Sequence, residues 1–151
     1  DIDNEIIFDL AAYSGYLQTQ GTSRSKGIEL VANLPLSERW LIEGNFTTLD
    51  ATQQNGGDRA YRPEQTGRAS VVFSSANWRA RLTARYTGEA VDPFMTSIDD
   101  TLTVDLTAQW QVSKLWTLEA RLLNLTDHTD QQLPGYNMPG MTAYAGVRMK
   151  L

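Results

Sequence analysis

Apolar and polar residues alternate one by one through most of this chain. In Trp78–Thr87 the alternation is complete. Trp78, Ala80, Leu82, Ala84 and Tyr86 fall on one side, and Arg79, Arg81, Thr83, Arg85 and Thr87 on the other. A period of two marks a β-strand with two unlike faces. The same pattern predicts strands over Ile2–Leu10, over Tyr16 to about Leu34 with an interruption near Gly21-Thr22-Ser23, and over Trp40–Leu49, Thr66–Ser74, Thr101–Gln111, Trp116–Leu125 and Tyr144–Leu151. The expectation is therefore all-β: about eight antiparallel strands and no helix.

The connections alternate as regularly as the faces. Short turns at 36–39, 75–77 and 112–115 take turns with long polar loops at 50–65, 88–100 and 126–143. Trp40, Trp78 and Trp116 each open a strand after a short turn, 38 residues apart. This is a hairpin repeat, and it predicts that short turns gather on one rim and long loops on the other. The last predicted strand runs to the final residue, where most chains fray into a polar tail.

Alternation alone does not say which face is the interior. A soluble up-and-down barrel carrying a small apolar ligand would turn its apolar face inward. A transmembrane β-barrel would turn it outward, against lipid. Three features favour the membrane. The apolar face is rich in small residues (Ala32, Gly44, Ala69, Ala80, Ala84, Ala108, Ala120, Ala143, Ala145), which would leave voids in a packed core but are easily covered by fluid lipid. Trp40, Trp78 and Trp116 at the short-turn rim, with Trp110 near it, fit an interfacial aromatic girdle. The polar face carries Arg79, Arg81, Arg85 and Arg121 beside Glu43, Asp105 and Glu119, a set able to interlock across strands in a lumen.

Composition narrows the function. No apolar run approaches the ~20 residues of a transmembrane helix. The absence of cysteine removes disulfides and thiolate chemistry, and a single histidine, His128, leaves no basis for a histidine metal cluster or triad. Net charge is -5, the basic residues are mostly Arg and unclustered, and nucleic acid is not an expected partner. No nucleophile with a base and no carboxylate pair is placed for catalysis, so neither an enzyme nor a cofactor is expected. Asp92, Asp99, Asp100, Asp127 and Asp130 lack the ligand spacing of a calcium loop and read as solvated loop carboxylates. Asn45-Phe46-Thr47 and Asn124-Leu125-Thr126 match the glycosylation pattern without a meaning on barrel strands. His128 reads as an exposed loop residue. Tyr61, Arg62, Phe94 and Tyr136, in long loops, are candidate ligand contacts; packing between neighbouring loops is the alternative. The N-terminus has no signal-peptide character, so the chain is expected to be mature or to begin partway through a longer protein.

From Ser25 onward the sequence resembles the C-terminal part of a TonB-dependent outer-membrane receptor, most closely the vitamin B12 (cobalamin) transporter branch. The resemblance rests on Arg24-Ser25-Lys26-Gly27-Ile28-Glu29-Leu30, Tyr61-Arg62-Pro63, Arg85-Tyr86-Thr87-Gly88, Asn124-Leu125-Thr126-Asp127 and Gly135-Tyr136-Asn137-Met138-Pro139-Gly140. It implies that the chain supplies the last strands of a 22-stranded barrel in the outer membrane of a Gram-negative bacterium, that the plug domain and its TonB contact are absent, and that the chain alone does not drive uptake. The substrate implied is a scarce bulky nutrient, a corrinoid or a ferric siderophore. Implied partners are the lipid bilayer, lipopolysaccharide and the outer-membrane assembly machinery. Gly146, Met149 and Leu151 resemble the terminal assembly signal, with Leu151 where an aromatic residue is usual. Met141 stands where a basic residue commonly follows Pro-Gly. Self-association through free strand edges is a further expectation. A soluble apolar-ligand carrier and a small structural membrane barrel remain the alternatives.

Overall fold

The computed structural model describes residues 1–8, 15–129 and 135–150. Twelve strands form: β1 (Ile2–Asp3), β2 (Ile6–Phe8), β3 (Tyr16–Gln18), β4 (Thr22–Pro35), β5 (Trp40–Thr52), β6 (Gln65–Ser74), β7 (Trp78–Thr87), β8 (Ala90–Val91), β9 (Ser97–Ile98), β10 (Thr101–Gln111), β11 (Trp116–Leu123) and β12 (Thr142–Met149). Eight of them make one antiparallel sheet in the order β1-β4-β5-β6-β7-β10-β11-β12. From β4 onward this is an up-and-down meander. No helix occurs among the described residues.

The first predicted strand does not form as one element. Asn4 takes a left-handed conformation (φ 52°) and breaks it. Only Ile2–Asp3 joins the main sheet, against Thr22 and Ser23. Ile6–Phe8 instead pairs with Tyr16–Gln18 in a separate hairpin. Leu10 and Leu151, the ends of the first and last predicted strands, lie outside the described residues. The 88–100 connection, expected to be plain loop, folds a small hairpin, β8–β9. The strands Trp78–Thr87 and Thr101–Gln111 form with the bounds that alternation predicts.

The register keeps like with like. One row across the sheet reads Leu34, Ile42, Val71, Leu82, Leu106, Leu122, Ala143, and another reads Phe73, Ala80, Ala108, Ala120, Ala145. A third row runs through four small residues, Ala32, Gly44, Ala69 and Ala84, before it reaches Val104. A one-residue slip anywhere would throw these rows to the polar face.

No conventional core exists. Val72 and Ile98 are the only buried hydrophobic residues among those described, while Leu30 is 65% exposed and Val147 64%. A soluble carrier barrel would hide this face, so the sheet's apolar surface needs an apolar surrounding. The edge strands β1 and β12 do not pair with each other. The closed eight-stranded barrel is therefore not formed by these residues.

Candidate functional site on the polar face and the long-loop rim

The short turns and the long loops lie at opposite ends of the strands. Each short turn is a serine turn. Ser37 Oγ accepts from the backbone N–H of Arg39 and Trp40 (both 3.3 Å), Ser75 Oγ from Trp78 (3.2 Å), and Ser113 Oγ from Leu115 and Trp116 (both 3.2 Å). The tryptophan carbonyl accepts in return, from Leu36, Ser75 and Val112 (2.9, 2.7 and 3.0 Å). Serine hydroxyls close such turns by bonding a few residues along their own backbone. These serines stand three residues before each tryptophan. The sequence thus carries a second signal, the repeat Ser-x-x-Trp, which tryptophan spacing alone does not reveal. Trp40, Trp78, Trp110 and Trp116 all lie on the apolar face at this rim, between 39% and 45% exposed. Trp78 stacks on Trp110 at 5.1 Å with planes 6° apart, and Trp40 packs on Phe73 at 4.9 Å.

On the polar face the expected interlocking of charges is present. Arg81 pairs with Glu43 and Arg85 with Asp105. Glu119 takes Arg148 at 2.5 Å and Arg121 at 4.0 Å, so Arg148 is a partner that alternation does not single out. Beneath the arginines Ser70 and Thr83 share a buried hydrogen bond of 3.0 Å. The concave polar face leaves a recess of about 630 Å³ bordered by Arg68, Arg81, Arg85, Asp105, Arg121 and Tyr144.

The long-loop rim is built piece by piece. Glu5 ties the β2–β3 hairpin down: its carboxylate accepts from Arg59 (2.6 Å) and Ser23 (2.9 Å), and its carbonyl from the Thr19 hydroxyl (2.7 Å). Asp92 caps the β8–β9 turn, with Oδ1 accepting from the N–H of Phe94 and of Thr96 (both 2.8 Å). It is 6% exposed, so the reading as a solvated carboxylate fails for Asp92: its lone pairs are used by the turn. Asp127 is likewise engaged, accepting from Met141 N–H at 2.8 Å. Asp130 lies outside the described residues. Among those described, no cluster of potential metal ligands forms.

Asn124-Leu125-Thr126-Asp127 is the hub of this rim. The Asn124 side chain donates to the carbonyls of His128 (2.8 Å) and Pro139 (3.0 Å), and accepts from Thr126 (3.0 Å) and the N–H of His128 (3.1 Å). Its backbone N–H reaches Asp105 at 2.9 Å. The side chain is thus committed to structure, which is the physical content of the Asn-Leu-Thr pattern here. His128 is half-buried rather than exposed, since this network draws it in. Gly140 completes the hub, because a Cβ there would meet Asp127 Oδ1 at 2.6 Å. Gly146 sits opposite Glu119 on the polar face with nothing near its missing Cβ, while Met149 faces Trp116 on the apolar face. Met141 is 62% exposed.

The candidate loop residues are only partly gathered. Tyr61 N–H donates to Val91 O (2.8 Å), which brings Tyr61 and Arg62 beside the hairpin whose tip carries Phe94. Arg62 borders a recess of about 400 Å³ with Asp50, Glu64, Tyr86, Glu89 and Asp100. Phe94 and Tyr136 are each 69% exposed. No ring contact or hydrogen bond among the described residues joins Tyr136 to the other three.

An antiparallel meander with one continuous apolar face, a polar arginine-lined face, tight turns at one rim and long loops at the other defines an outer-membrane type of β-barrel wall. The chain belongs to the TonB dependent receptor-like β-barrel family, whose model matches residues 1–125. No curated protein sequence matches it. Among solved structures it is similar to the ferripyoverdine receptor of the Pseudomonas aeruginosa outer membrane, with 17% identity, a TM-score of 0.76, and coverage of 97% of this chain and 23% of that one. The copper transporter OprC (19% identity, TM-score 0.76) is covered over 26% of its length by 97% of this chain. The ferric-catecholate import receptor Fiu of E. coli in its closed form (20%, TM-score 0.74) is covered over 23% of its length, again by 97% of this chain. At such identities the likeness is one of fold. The chain spans about a quarter of the length of these receptors. Its place is the outer membrane of a Gram-negative bacterium.

Proposed function

We propose that this chain forms part of the barrel wall of a receptor for active uptake of a bulky chelate, a ferric siderophore or a corrinoid of the cobalamin kind. One arrangement carries the reading: individually built long loops crown a polar, arginine-lined face that is wide and open. Such a wall suits capture of a large polar solute at the mouth and its passage beside charged side chains. In this reading capture belongs to the long loops, with Tyr61, Arg62, Phe94 and Tyr136 as contacts. Energy coupling belongs to a plug and its TonB contact elsewhere in the receptor, so the chain does not transport alone.

The same proposal gives Trp40, Trp78, Trp110 and Trp116 the membrane interface, lipid and lipopolysaccharide the apolar face, and Gly146, Met149 and Leu151 recognition by the assembly machinery. Strand edges left open in lipid would seek another strand, in the receptor or in a second copy. The test is uptake in cells whose own receptors are deleted and which carry the complete receptor. Labelled corrinoids and a panel of ferric siderophores are offered in turn. Energy-dependent accumulation of one class supports the proposal. A receptor that reaches the outer membrane yet accumulates neither class overturns it.

A further inference from the structure

Arg68 on β6 and Arg85 on β7 are directly opposed across the sheet on the polar face. Like charges in that position repel and destabilise the pair of strands. Arg85 has an acid, Asp105, whereas Arg68 has no ion pair among the described residues. Asp105 makes no ion pair with Arg68: one of its oxygens takes Arg85 and the other accepts from the Asn124 N–H at 2.9 Å. Glu43 is taken by Arg81 and Glu119 by Arg148 and Arg121. On this face Arg68, Arg79, Arg81, Arg85, Arg121 and Arg148 thus outnumber the carboxylates Glu29, Glu43, Asp105 and Glu119.

Arg79 is also without an ion pair among the described residues, but it faces Ser74 and Gln109, not a second cation. Of these two arginines only Arg68 faces a second cation, Arg85, whose own charge is paired with Asp105; on its other side Arg68 borders a recess with Glu29 and Glu43. Arg68 and Arg85 both border the recess of about 630 Å³ on the polar face. Thr83, buried and bonded to Ser70, also lines it, and its carboxylates Asp105 and Glu119 are both held in ion pairs with arginines.

We infer that Arg68 and Arg85 together hold a carboxylate group, bound between the two guanidinium forks. A guanidinium matches a carboxylate with two parallel N–H donors, and charge assistance makes such bonds short and strong. Binding would relieve the repulsion between the strands as well as add bonds. The inference rests on the reading of the polar face as the lumen side of a receptor. The carboxylate has two sources: a diffusing solute that passes through the lumen, or an acidic side chain from another part of the receptor resting against this wall.

The experiment uses the complete receptor in detergent and measures its melting temperature against succinate concentration, with sodium chloride at matched ionic strength as the reference. If the solute is the source, succinate raises the melting temperature beyond the chloride reference. Arg68→Gln then weakens the apparent succinate affinity about tenfold, and Arg68→Lys, which keeps the charge but loses the fork, falls between. If an internal side chain is the source, succinate adds nothing to wild type. Arg68→Gln then lowers the melting temperature, and high salt shrinks the difference. Arg79→Gln, the control, does neither. Arg68→Gln indistinguishable from wild type in both measurements overturns the inference. A receptor that still accumulates its chelate while failing here loses the carboxylate site and keeps the transport reading.

Discussion

The two rims of the sheet solve the same problem, reversing the chain, in opposite ways. The short-turn rim uses one device three times: a serine hydroxyl and a tryptophan carbonyl close each turn. The long-loop rim uses a different device at each crossing: Glu5 with Arg59, Asp92 over its turn, Asn124 with Asp127. Every non-glycine residue with a positive φ among those described lies on that side: Asn4, Tyr61, Met95, Asn124 and Asp127. Left-handed backbone is tolerable for Asn and Asp but strained for Tyr and Met. Such conformations persist only where the surroundings enforce them, and they concentrate at functional surfaces. The contrast assigns generic hardware to one rim and specific shape to the other.

Substitutions that break this contrast should differ in size, and the largest effect lies on the long-loop half of a strand. A Cβ at Gly27 would come within 2.5 Å of the Thr48 carbonyl, a backbone atom that cannot step aside. Gly27→Val is expected to abolish barrel assembly, read as loss of the heat-modifiable band in semi-native electrophoresis. Asn124→Ala removes four side-chain hydrogen bonds and places alanine at φ 54°. It should cost about 3 kcal/mol of stability, seen as a lower urea midpoint in lipid and faster proteolysis between residues 124 and 141. Asp92→Ala should cost about 1–3 kcal/mol; hydrogen exchange at the Phe94 and Thr96 amides would rise while the strands stay protected. Trp78→Ala removes the stack on Trp110, worth about 1 kcal/mol beyond the buried area, and unfolding midpoints of Trp78→Ala, Trp110→Ala and the double variant would show the coupling. Smallest of all is Ser75→Ala, at about 0.5–1 kcal/mol, because the backbone bond from Ser75 N–H to the Trp78 carbonyl survives. A Ser75→Ala effect as large as that of Asn124→Ala would erase the distinction between the rims.

The strands were legible because each is a two-faced ladder, and a face is visible in a period of two. Trp78–Thr87 and Thr101–Gln111 emerge with the predicted bounds for that reason. Ile2–Leu10 misled because its apolar residues are real but Asn4 turns the chain, and a single left-handed residue leaves no trace in periodicity. The ion pairs of the polar face were visible in outline, since strand neighbours follow from the hairpin rhythm, yet Arg148 joins Glu119 only through the register of the last strand. The loop anchors were illegible. Asp92 and Asn124 act through backbone atoms two to fifteen residues away, and no pattern of side-chain character encodes such partners.

Where β6, β7 and β10 run together, three unlike contacts lie at three heights. Ser70 meets Thr83 between β6 and β7, while Arg85 meets Asp105 and Trp78 meets Trp110 between β7 and β10. A slip of two residues would preserve both faces and so escape correction by hydrophobicity. It would nevertheless part the directly opposed pairs, Ser70–Thr83 on one side of β7 or Trp78–Trp110 on the other, and in one of its two directions would also separate Arg85 from Asp105, which stand one such step apart in the register. These contacts therefore act as a reading frame for the sheet, a check on alignment along the one direction to which the separation of oil from water is blind.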